Sequence, residues 1–160
     1  MNIAGISTKH KMKIEEAIRQ KKPFRNPYQK AVVNLIFTTN WLTDHIRTHL
    51  KPYGITMQQY NVLRILRGAG KPISTSDIRD RLLDKMADTS RMVDRLCQKG
   101  LVVRSVCPGD KRLVDVTLSD AGEALLAKLD QQDDAMDKAL QRLSETEAEQ
   151  LSALLDKIRG

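Results

Sequence analysis

The chain has 160 residues, enough for one domain to bury its own core without disulfides or metals. Its 27 Lys and Arg against 20 Asp and Glu leave a formal charge of +7, a sign that suits a polyanionic partner. Two cysteines exclude a disulfide framework, and the apolar runs are too short for a membrane span. The N-terminus carries no apolar h-region, so a reduced, cytoplasmic protein with no membrane partner is expected.

Residues 7–22 are expected to be helical, with Met12, Ile14, Ala17 and Ile18 at loose helical spacing. Pro23 and Pro27 break this segment, because proline removes a backbone donor and biases its predecessor away from α. A long helix is predicted from Tyr28 to Leu50, where Val32, Leu35, Ile36, Thr39, Leu42, Ile46 and Leu50 recur at steps of three and four. Pro52 and Gly54 end it. Thr56 with Gln59 has the form of a capping box, opening a helix with Tyr60, Leu63, Ile65 and Leu66 on its apolar face. Gly68 and Gly70 stop that helix, and Ser74-Thr75-Ser76-Asp77 caps a shorter one that buries Ile78, Leu82 and Leu83.

A helix from around Ala87 to Gly100 follows, with Met92, Val93 and Leu96 as its buried stripe and Gly100 at the C′ position. Two β-rich runs, 101–106 and 113–118, then flank a turn that contains Pro108-Gly109-Asp110 and carries Lys111 and Arg112. Ser119 can cap a helix to about Leu143. A second capping box, Ser144 with Glu147, opens the last helix, striped by Leu151, Leu154, Leu155 and Ile158. The predicted fold is mainly α. A winged helix-turn-helix lobe with a two-stranded β wing spans 55–118, dimerisation helices span 28–54 and 119–160, and an N-terminal helical arm spans 1–27, all in one structural domain. The apolar stripes of the flanking helices exceed what three short helices and a wing can cover, which points to a homodimer.

A helix beside a cation-tipped hairpin suits double-stranded DNA: the helix fits the major groove and the tip reaches phosphates or the minor groove. Charge is distributed accordingly, with +5 over residues 57–118 and +6 over residues 1–30, against −5 over 119–160. Ser90 and Arg91 lie early on the reading helix, opposite Val93 and Leu96, where recognition helices contact base edges. Asp88 and Thr89 are their neighbours in that contact. Arg95, one turn on, serves either phosphates or an ion pair with Asp94 or Asp110. Ser74, Thr75 and Ser76 at a helix N-terminus can donate to a phosphate, although capping explains Ser74 equally well.

The blocks Ile55–Leu66, Ser90–Leu96 with Lys99–Arg104, Asp110-Lys111-Arg112 and Leu118–Gly122 together resemble the multiple antibiotic resistance regulator (MarR) family of bacterial transcription factors, over about residues 28–158. The resemblance implies a dimer joined through N- and C-terminal helices, palindromic operators, and repression relieved by a small ligand or an oxidant. It also implies a wing in which Asp110 braces the turn and Arg112 enters the minor groove, with Lys111 on phosphate. Lys85-Met86-Ala87-Asp88 departs from the family's usual short polar lead-in, and residues 1–27 have no clear counterpart.

MarR-like proteins often hold aromatic anions between the dimer helices and the DNA lobe, and Trp41, His45, Tyr60 and Arg64 are the candidates for such an effector site. Ordinary packing is the competing reading of those four. Cys107, near Arg104, Lys111 and Arg112, is the candidate for a redox switch, whereas Cys97 reads as a small hydrophobe. His45 and His49 share a helix face but lack a third ligand nearby, so no metal is expected, nor any other cofactor. No nucleophile–base pair, phosphate loop or paired carboxylates occur at recognisable spacing, so the chain is not read as an enzyme. The alternative to a DNA-binding regulator is a winged helix that binds another protein.

Overall fold

A computed structural model describes residues 12–106, 114–131 and 135–160. Among them are eight α-helices and three strands: α1 (Ile14–Ala17), α2 (Pro27–Leu50), α3 (Met57–Ala69), β1 (Ile73–Ser74), α4 (Thr75–Arg81), α5 (Thr89–Gln98), β2 (Val102–Val106), β3 (Val114–Leu118), α6 (Asp120–Gln131), α7 (Ala135–Leu140) and α8 (Glu145–Arg159). The chain divides into two compact units, Met1–Trp41 and Leu42–Gly160, the boundary falling inside α2.

In the first unit, α1 is a single turn, much shorter than the helix expected over 7–22, of which residues 7–11 lie outside the described residues. The turn ends at Ile18, and Arg19 adopts a positive φ of 53°, which no continuing helix tolerates. Glu15 pairs with Lys30 of α2 at 2.6 Å, and that bond holds the Glu15 carboxyl below its usual range. Asn26 caps α2, its side-chain oxygen accepting from the Gln29 amide at 2.8 Å, and Pro27 takes the first helical position, where its missing donor costs nothing.

The second unit holds a single apolar core. Ile46 and Leu50 of α2, Tyr60, Leu63 and Leu66 of α3, Ile78 of α4, Val93 and Leu96 of α5, and Leu126 of α6 meet there. The capping box of α3 forms as expected, with Gln59 N donating to Thr56 Oγ1 and Thr56 N donating to Gln59 Oε1, both at 3.2 Å. So do the boxes of α4 (Ser74 with Asp77) and α8 (Ser144 with Glu147).

The wing has one strand more than expected. β3 pairs antiparallel with β2, from Val102↔Leu118 to Val106↔Val114, and its other edge pairs with β1 through Ile73↔Val116 and Ser74↔Asp115. A two-residue strand has no alternation to read, and its partner lies some forty residues away in sequence. The segment after Ser119, expected as one helix to about Leu143, is assigned as α6 and α7. Ser119 caps α6, accepting from the Gly122 amide at 3.1 Å while its hydroxyl donates to the Gly100 carbonyl at 2.6 Å.

Candidate DNA interface

The reading helix α5 begins at Thr89, two residues later than expected, because Asp88 caps it: its Oδ1 accepts from the Arg91 amide at 3.1 Å. The lead-in is held by Asp84, whose Oδ1 accepts from the Met86 amide at 3.1 Å, in the segment that departs from the family's usual sequence. The helix ends in a Schellman motif. Leu101 N donates to Leu96 O at 3.0 Å and Gly100 N to Cys97 O at 2.9 Å, with Gly100 at φ 69° in the left-handed region.

Thr89, Val93 and Leu96, spaced by four and three, form the buried side of α5. Ser90, Arg91, Asp94, Arg95 and Gln98 are exposed. Thr89 therefore departs from its expected place beside Ser90. It is 6 % exposed, with a buried hydroxyl, and helical phase rather than sequence adjacency decides its direction. Asp88 is exposed, but its carboxylate is engaged in capping.

Two surface cavities flank the start of α5. One, of about 320 Å³, brings Thr75 and Ser76 of α4 together with Asp88, Thr89 and Ser90. Arg79, which the sequence reading did not single out, completes its rim and donates to Ser76 Oγ at 3.2 Å. Its position one turn after Ser76 was the available signal. The other, of about 360 Å³, is lined by Thr56, Gln58, Asp88, Arg91 and Arg95 among others, which places the two arginines on one face with the start of α3. Ser74 is turned to the fold instead: its hydroxyl donates to Asp77 Oδ2 at 2.7 Å and accepts from the Asp77 amide at 3.1 Å. The hydroxyl bond, with a second donated by the Ser74 amide to the same oxygen at 3.1 Å, holds the Asp77 carboxyl below its usual range. The capping reading of Ser74 is realised.

Asp94 pairs with Arg104 of β2 at 2.6 Å rather than with Arg95. Among the described residues Arg95 has no ion pair. Asp110, Lys111, Arg112 and Cys107 lie outside the described residues.

Three of the four effector candidates, His45, Tyr60 and Arg64, belong to the second unit. Tyr60 is buried in the core at 5 % exposure, and the Arg64 guanidinium stands 5.9 Å from its ring centroid. Arg64 is committed to Asp130 of α6 at 2.8 Å, beside a bidentate bond from Arg67 at 2.7 and 3.2 Å. The Arg67 bond, with both guanidinium charges, holds the Asp130 carboxyl below its ordinary value. His45 is exposed on the second unit, and Trp41 belongs to the first. A larger cavity of about 490 Å³ opens elsewhere, between the last turns of α2 and the start of α3, lined by Thr43, Arg47, Lys51, Ile55, Met57 and Gln58 among others. Cys97 is half-buried against the core, as a small hydrophobe would be. Among the described residues no helix is long and apolar enough to cross a membrane.

The profile of the MarR family matches residues 53–113, a span that includes α3, α4, α5 and β2. The multiple antibiotic resistance protein MarR of Salmonella typhimurium is 33 % identical over 127 residues, covering 78 % of this chain and 88 % of that one. The HTH-type transcriptional regulator MhqR of Bacillus subtilis is 28 % identical over 119 residues, covering 73 % and 81 %. Among solved structures, a MarR variant from E. coli complexed with operator DNA superposes with a TM-score of 0.70 at 31 % identity, over 78 % of this chain and 91 % of that one. With 33 % of the aligned residues identical over 88 % of a relative's length, and the same winged-helix fold, the chain belongs to the MarR family of transcriptional regulators.

Proposed function

We infer that the protein is a sequence-specific DNA-binding transcriptional regulator, in which α5 reads base edges in the major groove. The observation that carries this is the partition of α5: Val93 and Leu96 are fully buried while Ser90, Arg91 and Arg95 point outward from its first turns. Arg91 is the base-reading residue, suited to bidentate bonds with guanine. Thr75, Ser76 and Arg79 receive a backbone phosphate beside Ser90, and Arg95 serves a second. Lys111 and Arg112, between β2 and β3 in sequence, are assigned to phosphate and minor groove from the sequence and the family resemblance.

The DNA-bound species is a homodimer on a palindromic site. In support, α8 carries Leu154 and Ile158 at 60 % and 68 % exposure, and α2 carries exposed Val32 and Ile36, apolar surface that a second copy would cover. The relative solved with operator DNA supports DNA as the partner. Acting on DNA assigns the protein to the cytoplasm. Repression is the expected sense of regulation, since a dimer seated on a promoter excludes polymerase.

Response to a small aromatic anion is favoured by the 490 Å³ cavity, whose lining includes Lys51, the apolar Ile55 and Met57, and Arg47, which is paired with Asp44 at 2.7 Å. That cavity is a second candidate for the effector site, beside Trp41, His45, Tyr60 and Arg64.

Fluorescence anisotropy tests the DNA reading, using a duplex selected from random sequence and an unrelated duplex at two salt concentrations. Tight, selective and salt-sensitive binding is expected, because phosphate contacts release counterions. Equal weak binding to both duplexes would favour a protein-interaction module instead.

A further inference from the structure

We propose that Lys99 is a positioning residue for DNA reading. It ties the C-terminal end of α5 to the junction that opens α3, and so sets the angle at which Ser90 and Arg91 meet the groove. The proposal rests on α5 being the reading helix.

Lys99 is the C-cap residue of α5. A cation there ordinarily serves its own helix, by bonding the last carbonyls. This one turns away. Its Nζ donates to the Gly54 carbonyl and, at 3.2 Å, to Gln59 Oε1, partners 45 and 40 residues back in sequence. Gln59 is only 4 % exposed, and the same oxygen accepts from the Thr56 amide at 3.2 Å. One buried oxygen thus receives a backbone donor from the start of α3 and a cationic donor from the end of α5. Charge-assisted bonds of this kind are the strong ones, and they fix a side chain that would otherwise be free in water.

Position on the helix gives the bond leverage. The fully buried apolar residues of α5, Val93 and Leu96, sit mid-helix, with Met92 and Cys97 partly buried beside them, and Lys99 adds a polar tie at the C-terminal end. Arg91 lies eight residues from Lys99, about 12 Å along the axis. A tilt of roughly 5° at the pinned end moves Arg91 by about 1 Å, enough to spoil a bidentate bond to a base. A phosphate contact tolerates such a shift better, because it has no fixed edge to match.

The test compares the full-length protein with Lys99→Met, Lys99→Arg and Arg91→Ala on the selected and unrelated duplexes across a salt series. Thermal melts and active fractions from stoichiometric titration accompany each. Lys99→Met should weaken the selected duplex about tenfold, the size of one spoiled base contact. It should leave the unrelated duplex and the salt slope nearly unchanged, and Lys99→Arg should restore selectivity. Equal loss on both duplexes with a shallower slope would make Lys99 a phosphate contact and overturn the proposal. Unchanged affinity, or a lowered melting temperature with normal affinity per active dimer, would overturn it as well. If Lys99→Met does not fold, Lys99→Gln takes its place with the same expectations. Arg91→Ala separates the two levels: if it also leaves selectivity intact, the assignment of α5 has failed, not merely the role of Lys99.

Discussion

Asp94 on α5 and Arg104 on β2 are paired at 2.6 Å, with side chains 50 % and 38 % exposed. At that exposure the pair stabilises the fold by less than about 1 kcal/mol. Its larger effect is electrostatic. Asp94 is an acid on the exposed side of a helix that approaches a polyanion, and Arg104 neutralises it. Arg104→Ala should therefore lower DNA affinity several-fold, more at low salt, while moving the melting temperature little. The double variant Asp94→Asn/Arg104→Ala should recover much of the loss. A double-mutant cycle by anisotropy checks this, and additive losses would show that Arg104 contacts DNA directly.

Arg91 and Arg79 should fail differently. Arg91→Ala removes base readout, costing about 1–3 kcal/mol on the preferred sequence and relaxing preference at one position per half-site. Arg79→Ala removes a phosphate contact, so it should weaken all sequences alike and reduce the salt slope by about 0.9 per phosphate lost. Binding-site selection with each variant, beside salt titrations, distinguishes them. An unaltered selected motif for Arg91→Ala would remove it from base readout.

Most of this fold was legible locally. The pairs Thr56/Gln59, Ser74/Asp77 and Ser144/Glu147 mark helix starts because capping is decided within four residues. Gly100 marks a helix end for the same reason. What escaped were choices made across the chain: the pairing of β1 with β3, the capture of Arg64 by Asp130, and the reach of Lys99 to Gly54. Exposed cations have many acids in range, and sequence spacing cannot rank them. Thr89 is different, since its spacing with Val93 and Leu96 already places it on the buried side.

Asp130 gathers two arginines, and its carboxyl is held below the ordinary value of 3.8 chiefly by the Arg67 bond. A lowered carboxylate contributes stability that is complete above that ordinary value and is lost as pH falls through the lowered one. Asp130→Asn should thus cost no more than about 1 kcal/mol at neutral pH, given that the side chain is partly exposed. The gap between variant and wild type should stay constant down to about pH 5 and close only in stronger acid. Urea denaturation at several pH values measures it, and a gap that widens on acidification would contradict the assignment.

Gly122 and Gly68 are both helical glycines, and alanine should have opposite effects on them. Alanine favours a helix by up to about 1 kcal/mol over glycine, which alone would make both changes stabilising. A Cβ at Gly68 meets nothing within 4 Å, so Gly68→Ala should realise that gain. A Cβ at Gly122 would lie 2.2 Å from the Leu101 carbonyl oxygen and 3.1 Å from Leu118 Cδ2. The obstruction is backbone, and Leu101 O is itself fixed by accepting from the Ser119 amide at 3.1 Å. No rotamer change relieves it, so α6 must move away and draw Leu126 and Leu129 from the core they fill. Gly122→Ala should then lose about 1–3 kcal/mol despite its better helix propensity. Equilibrium denaturation of the two variants side by side decides the matter: equal stabilisation would mean that α6 is free to shift and that its approach to the Leu101 backbone is not fixed by packing.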